Sequence, residues 1–287
     1  MNIEDLQAFL SVSKHASFSL AAAELHITQP AVSKRIAALE SNLDARLFDR
    51  IGRQVTLTEA GRALERYAVR ILSEVEDSRR TLQNLSGKIG GPLKIATSHH
   101  ISLHRLPPVL RQYTQHYPEV QLNLGFMDSE LACRAVEQGE LELALVTLPP
   151  SDSTPLTTVK IWTDTLVLAA SPDHPLRQHS RITPKALAHY PAILPARGTY
   201  TRELIDKTLA MGQLETKMET HYLETIKMLV TVGLGWSLLP DNMLEKELCP
   251  QPGKGIQVKR ELGIAHHPRR TLSNAAKAFI ELCLKPQ

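Results

Sequence analysis

A chain of 287 residues with 43% hydrophobic and 22% charged side chains is long enough for two ordinary globular domains. Its formal net charge of +3 is weak evidence for nucleic acid, and residues 1–90 hold 12 Lys/Arg against 11 Asp/Glu, so any DNA contact must come from placed charges. The cysteines Cys133, Cys249 and Cys283 are too scattered for a disulfide framework, no apolar run nears the ~20 residues of a membrane span, and MNIEDLQAFL lacks a signal-peptide pattern, so a cytoplasmic protein with reduced thiols is expected.

Leu6, Phe9, Leu10 and Ser13 share one face of a helix over Ile3–Lys14. Ser17 or Ser19 caps a second helix, SLAAAELH, whose alanines allow close packing. After a turn at His26-Ile27, Thr28 caps a third helix with Pro30 in its first turn. Val32, Ile36, Leu39 and Leu43 form its apolar stripe and leave Gln29, Ser33, Lys34 and Ala37 on the outer side. Two short helices joined by a tight turn are a helix-turn-helix, whose second helix enters the major groove by its N-terminal end. Gln29 is suited to a base edge, Ser33 to a base or phosphate, Lys34 and Arg35 to phosphates, and Pro30-Ala31 to a thymine methyl. The stretch LFDRIGRQVTLT then reads as a hairpin turning at Gly52, with Arg53 at its tip as a wing residue.

These residues closely resemble the DNA-binding domain of the LysR-type transcriptional regulators. The resemblance is carried by Phe9, Ser17-Phe18, Ala22-Ala23, Leu25, Gln29-Pro30-Ala31-Val32-Ser33, Ile36, Leu39-Glu40, Leu47-Phe48, Arg50, Thr56-Leu57-Thr58 and Ala60-Gly61. It covers residues 3–61 and implies that Gln29, Pro30, Ser33, Lys34 and Arg53 meet DNA; with Ser17 and Arg35 they complete the expected DNA-facing set. Asp44 stands where the family usually has glycine, at the end of the recognition helix.

From Thr58 the pattern is helical for almost thirty residues. The seam Ala60, Leu64, Tyr67, Ile71, Val75, Ser78, Leu82, Leu85 has coiled-coil spacing, imperfect at its centre, which favours a partner helix from a second copy. SGKIGGP, residues 86–92, ends the helix in a glycine-rich hinge. The division expected is a winged helix-turn-helix over 1–60, a dimerising helix over 61–90 and an effector domain over 91–287.

After Pro92, strands and helices alternate in a βαβαβ series: strand Leu93–Thr97, helix Ile101–His116 opened by Pro107-Pro108, strand Val120–Phe126, helix Leu131–Gln138 and strand Leu141–Leu148. A second series holds strands Thr165–Ala170, Ala192–Leu194 and Trp236–Leu239, the segment Lys217–His221, and helices over Thr183–His189, Thr201–Met211 and Leu223–Val232. Ile256–Arg260 is a last strand before Gly263–Ala265 and the closing helix Leu272–Leu284. Two such lobes leave a cleft at the carboxyl ends of their strands. Three loops should converge there, Thr97-Ser98-His99-His100, Ala196-Arg197-Gly198-Thr199-Tyr200-Thr201, and Tyr222 to Thr225, and each enters a helix whose free N–H groups suit an anion. Asp128-Ser129 and Thr147 end the neighbouring strands.

GPLKIATS, LPPVL, GELELALV, SPDHPL and VTVGLGWSLLP resemble, more loosely, the effector-binding domain of the same family, which is similar to periplasmic solute-binding proteins. The resemblance implies lobe one at 91–162 with 265–287, lobe two at 163–264, two crossing strands, and ligand roles for Ser98, Asp128, Ser129, Thr147, residues 196–201 and Thr225. His99 and His100 are outside that pattern and are expected to tune effector choice. The partners implied are promoter double-stranded DNA, a second copy in a homodimer or homotetramer, a small-molecule effector and RNA polymerase, with no membrane. No cofactor is expected. His100 and His104 share a helix face, but neither Cys nor a carboxylate is placed in sequence to complete a metal site, so none is expected. No GxSxG, HExxH or phosphate-binding glycine loop supports catalysis. The competing reading is a solute-binding or enzymatic α/β protein whose N-terminal helices only dimerise.

Overall fold

Asn2 opens the first helix, α1 (Ile3–His15), with a reciprocal cap: its side chain accepts from the Asp5 N–H at 2.8 Å, and Asp5 accepts from the Asn2 N–H at 3.2 Å. Ser17 caps α2 (Phe18–Glu24) by accepting from the Leu20 N–H, and Thr28 caps α3 (Gln29–Leu43) by accepting from the Ala31 N–H. α3 ends at Asp44, which takes the left-handed conformation with φ +47° expected of a residue in the glycine position. Val32, Ile36 and Leu39 are wholly buried with Leu6, Phe9 and Val12 of α1, each such burial stabilising the fold by about 1.5–3 kcal/mol. The stripe stops earlier than its spacing predicts. Leu43, the last helical residue before the Asp44 reversal, is 39% exposed.

The hairpin pairs β1 (Phe48–Ile51) antiparallel to β2 (Gln54–Leu57). Glu40 of α3 holds its base by accepting from the N–H groups of Leu47 and Phe48, at 2.7 and 3.4 Å. The Phe48 ring packs against Phe9 and Phe18, with centroids 5.3 and 6.0 Å away. Thr58 then caps the long helix α4 (Glu59–Leu85) by accepting from the Gly61 N–H at 3.0 Å. The seam read from the spacing is divided in the structure. Ala60, Leu64, Ala68 and Leu72 pack on the helix-turn-helix, while Tyr67, Ile71, Leu82 and Leu85 stay exposed.

The structure, a computed structural model, describes residues 1–51, 54–149, 154–179, 181–209, 216–248 and 256–285, and its contacts divide the chain into Met1–Ser86 and Gly87–Gln287. The second unit begins as predicted. β3 (Gly91–Thr97) is parallel to β4 (Val120–Phe126) and to β5 (Leu143–Thr147), with helices between them. The helix over 101–116 is two helices, α5 (His99–His104) and α6 (Leu106–His116), broken at Arg105, with the prolines in the first turn of α6 where a missing N–H costs nothing. α7 (Ser129–Gln138) leads into β5.

Two long strands then tie the lobes together. β6 (Thr157–Ala169) and β10 (Gln257–His266) run antiparallel along their length. The sequence pattern separated Ile256–Arg260 from Gly263–Ala265; the structure joins them through a register shift at Leu262/Gly263. Only glycine fits there, since a Cβ on Gly263 would lie 2.1 Å from the Val159 carbonyl oxygen. The six-stranded sheet has the order β4-β3-β5-β10-β6-β9, where β9 is Ser237–Pro240. β7 (Ala192–Pro195) and β8 (Thr216–Thr220) pair in parallel and join β9 through a bridge from Ala192 to Trp236. α8 (Pro184–Leu187), α9 (Tyr200–Leu209) and α10 (Leu223–Thr231) cover the second lobe, and α11 (Asn274–Leu284) returns to the first. There Phe279 packs edge-on to Tyr113, whose hydroxyl donates to the Ala275 carbonyl at 2.8 Å. The second lobe is centred on Trp236, fully buried, whose indole N–H donates to the carbonyls of Leu187 and Tyr190.

Candidate functional site

The exposed start of α3 is a compact polar face. Thr28, Gln29, Pro30 and Lys34 are exposed, Ser33 is half-buried, and the Gln29 amide donates to the Ser33 hydroxyl at 3.0 Å. That bond holds two candidate base-reading groups in one orientation before any DNA arrives. Arg35 is placed differently from a free phosphate clamp, because its guanidinium is paired with Glu4 of α1 at 2.5 Å. Ser17 is occupied as the cap of α2. Arg53 lies outside the described residues, but Arg50 on the wing strand stacks over the Phe18 ring, 4.1 Å from its centroid.

In the second unit the three expected loops fall at the junction of the lobes. Thr97 ends β3, fully buried. Ser98 takes the N-cap position of α5 without a side-chain cap bond, and its N–H donates to the Leu145 carbonyl. Ser129 is buried and its hydroxyl accepts from the Thr147 N–H at 3.0 Å, fixing the start of α7 to the end of β5. Asp128, at the N-cap position of α7, pairs with His221 at 2.8 Å. The Ala196–Thr201 loop turns through Gly198 at φ +82°, the Thr199 hydroxyl donates to the Ala196 carbonyl, and Tyr200 reaches lobe one, where its N–H donates to Glu130 of α7 at 2.5 Å. Burial pushes the Glu130 carboxyl above its ordinary range. Thr225 is half-buried in the first turn of α10, and His99 is exposed with its ring edge-on to Tyr222.

A buried charge network joins these loops, and its centre was not among the sequence-derived candidates. Asp164 of β6 is 1% exposed and faces His100 Nε2 at 3.0 Å, Arg260 Nη2 at 2.8 Å and Arg105 Nη2 at 2.6 Å. Burial alone would raise the Asp164 pKa; hydrogen bonds from His100, Arg260 and Arg105 and the Arg260 charge outweigh it and hold the carboxyl well below its usual range. Arg260 of β10, itself 3% exposed, also donates to the Thr201 hydroxyl at 3.2 Å. Glu224 at the start of α10 lies 3.2 Å from His104 Nε2; burial opposes its charge, but His100, its own N–H and His104 bring its pKa down to about 2. A signal for Arg260 was present in the alternation of its strand, which puts it on the same face as buried Val258. Asp164 gave none, since an acid at the edge of an apolar run also reads as the strand's solvent end. A surface depression of about 490 Å³ lies elsewhere, between Ser171–Pro175 and Thr231–Gly235.

Residues 3–62 match the family described as bacterial regulatory helix-turn-helix protein, lysR family, and residues 86–286 match the LysR substrate binding domain. The chain belongs to the LysR family of transcriptional regulators. A probable RuBisCO transcriptional regulator of Synechocystis sp. is 31% identical over 290 residues, covering 97% of this chain and 84% of that one. An HTH-type transcriptional regulator of Azotobacter vinelandii is 63% identical over 108 residues, 38% of this chain and 75% of its own length. Among solved structures, a full-length OxyR variant from Pseudomonas aeruginosa shares the fold with a TM-score of 0.70 at 22% identity, covering 99% of this chain and 93% of that one. As a LysR-family protein this chain is a DNA-binding transcriptional regulator with an effector-binding domain, and not an enzyme. No helix among the described residues is long and apolar enough to cross a membrane.

Proposed function

We propose that the α3 face formed by Gln29, Pro30, Ser33 and Lys34 reads promoter DNA, with Arg53 of the wing on the backbone, Ser17 and Arg35 at the edge of the contact, and α4 pairing two such faces. The observation that carries this reading is the Gln29–Ser33 hydrogen bond on an exposed, capped helix start, which presents a fixed donor–acceptor pattern to a groove. A dimer places two recognition helices on two half-sites, and pairs of dimers give the tetramer that the resemblance implies. The effector lies between the lobes against Thr97, Ser98, His99, His100, Asp128, Ser129, Thr147, residues 196–201 and Thr225. Ser98 and Tyr222 take N-cap positions without a side-chain cap bond, which supports a small anion there. An effector that favours one arrangement of the lobes shifts the spacing of the DNA-reading pairs and so their contact with the promoter and RNA polymerase in the cytoplasm.

A gel shift on promoter fragments, including the region upstream of the protein's own gene, tests this with wild type and Ser33→Ala. Wild type is expected to bind specifically with strong salt dependence, and the variant to lose about 1–3 kcal/mol of specific affinity with its oligomeric state unchanged. Equal binding by both would remove α3 from the reading face. A thermal-shift screen of the full chain against anionic metabolites tests the effector reading, a binder raising the midpoint by mass action.

A further inference from the structure

We propose that His100, His104 and Glu224 form a binding site for a divalent transition-metal ion with zinc-like preferences, spanning from α5 of lobe one to α10 of lobe two. Sequence spacing argued against a metal here because no carboxylate stood near the histidines; the fold brings one from 120 positions downstream. One ligand atom from each of the three residues lies within 4.8 Å of the others, with Glu224 Oε1 at 3.2 Å from His104 Nε2 and 3.7 Å from His100 Nδ1. A tetrahedral zinc with bonds near 2.0–2.1 Å sets its ligand atoms about 3.3 Å apart, so the two pairs made by Glu224 already have nearly that spacing.

Two further observations point to a bound cation. His100 Nδ1 and Glu224 Oε2 are both buried and have no hydrogen-bond partner, though each belongs to a residue of this cluster. Asp164 faces His100 Nε2 at 3.0 Å, which leaves the other ring nitrogen, Nδ1, turned toward Glu224 Oε1 at 3.7 Å. Carboxylate, then imidazole, then metal is the arrangement in which the outer carboxylate orients a histidine ligand, and here Asp164 supplies it. Two histidines and one glutamate suit zinc and its neighbours rather than magnesium or calcium, and they leave a fourth position for water or for an oxygen of a bound small molecule. Because the ligands come from both lobes, the ion ties α5 to α10 directly. The site shares His100 with the proposed effector contacts, while His104 and Glu224 are argued here only as metal ligands.

Full-length protein stripped with EDTA is titrated with Zn²⁺ by calorimetry, and with Co²⁺ followed by visible absorption, as wild type, His104→Gln and Glu224→Gln. Both substituted side chains are partly exposed, and circular dichroism checks that each variant is folded. Wild type is expected to take one tight equivalent of Zn²⁺, show the intense visible bands of tetrahedral Co²⁺ and gain thermal stability. Each variant is expected to lose about 100-fold or more in affinity together with the cobalt bands. Equal titrations in all three proteins would assign the binding to other histidines and overturn the site. Absence of a tight equivalent in wild type would also overturn it.

Discussion

Asp164 shows what a single buried charge does in this fold. Two arginines and a histidine converge on it, and Arg260 is itself almost wholly buried. Its value lies less in net stability than in where it holds the loops, since pairing in a low-dielectric interior mostly repays desolvation. Removing one partner is another matter. Asp164→Asn leaves Arg260 buried without its counter-charge, and a loss of about 3–5 kcal/mol in unfolding free energy is expected by urea denaturation. A double variant, Asp164→Asn with Arg260→Met, is expected to recover much of that loss, because the charge then left without its partner, Arg105, is 28% exposed and reaches water. At this scale the sequence was legible where residue type and local position coincide: Thr28, Ser17 and Thr58 cap helices, Asp44 takes the left-handed position, and Ser98 and Thr147 sit at strand ends. It was not legible for Asp164, Arg105 and Glu224, whose partners are 59 to 120 residues away.

Among the elements, α4 departs furthest from its sequence pattern. Its apolar positions serve two faces, one covering the helix-turn-helix through Leu64, Ala68 and Leu72, and one left open through Tyr67, Ile71, Leu82 and Leu85. A single heptad seam read through the whole helix merges the two, because periodicity reports that a residue is apolar and not what it faces. Gly61 explains how the helix starts so close to the wing. A Cβ there would meet the Leu47 carbonyl oxygen at 2.2 Å and the Leu57 side chain at 2.9 Å, so the glycine is required for close approach rather than merely tolerated. Gly61→Ala is expected to cost at least about 1–3 kcal/mol, read as a lower thermal midpoint of the full chain with weakened DNA binding. The break at Arg105 has a similar logic. Two prolines allow α6 to begin anew, and Arg105 between the helices is released to reach Asp164.

At the level of the whole molecule, the open face of α4 makes a prediction about assembly. Leu82 and Leu85 are 69% and 81% exposed, which is costly for apolar side chains that repeat along one helix unless a partner covers them. Changing Tyr67 and Leu82 together to Glu is expected to reduce the sedimenting mass to that of a monomer, with far-ultraviolet circular dichroism unchanged. Leu64→Ala is expected to do the reverse, lowering the thermal midpoint while the assembly persists. A monomeric wild type would refute the pairing role.

What the sequence determined by itself is local and periodic. The helix-turn-helix, its caps, the wing hairpin, the βαβαβ order of the first lobe and most second-lobe elements follow from apolar spacing and turn chemistry within a few residues of each other. The tertiary structure decided the rest. It joined the last strand through a bulge at Gly263, paired β6 with β10 across both lobes, closed Arg35 onto Glu4, and set Asp164, Arg260, His100 and Glu224 side by side. Those contacts join residues far apart in the chain, and electrostatic pairing leaves no period in a sequence, so only the closed fold reveals which charge meets which.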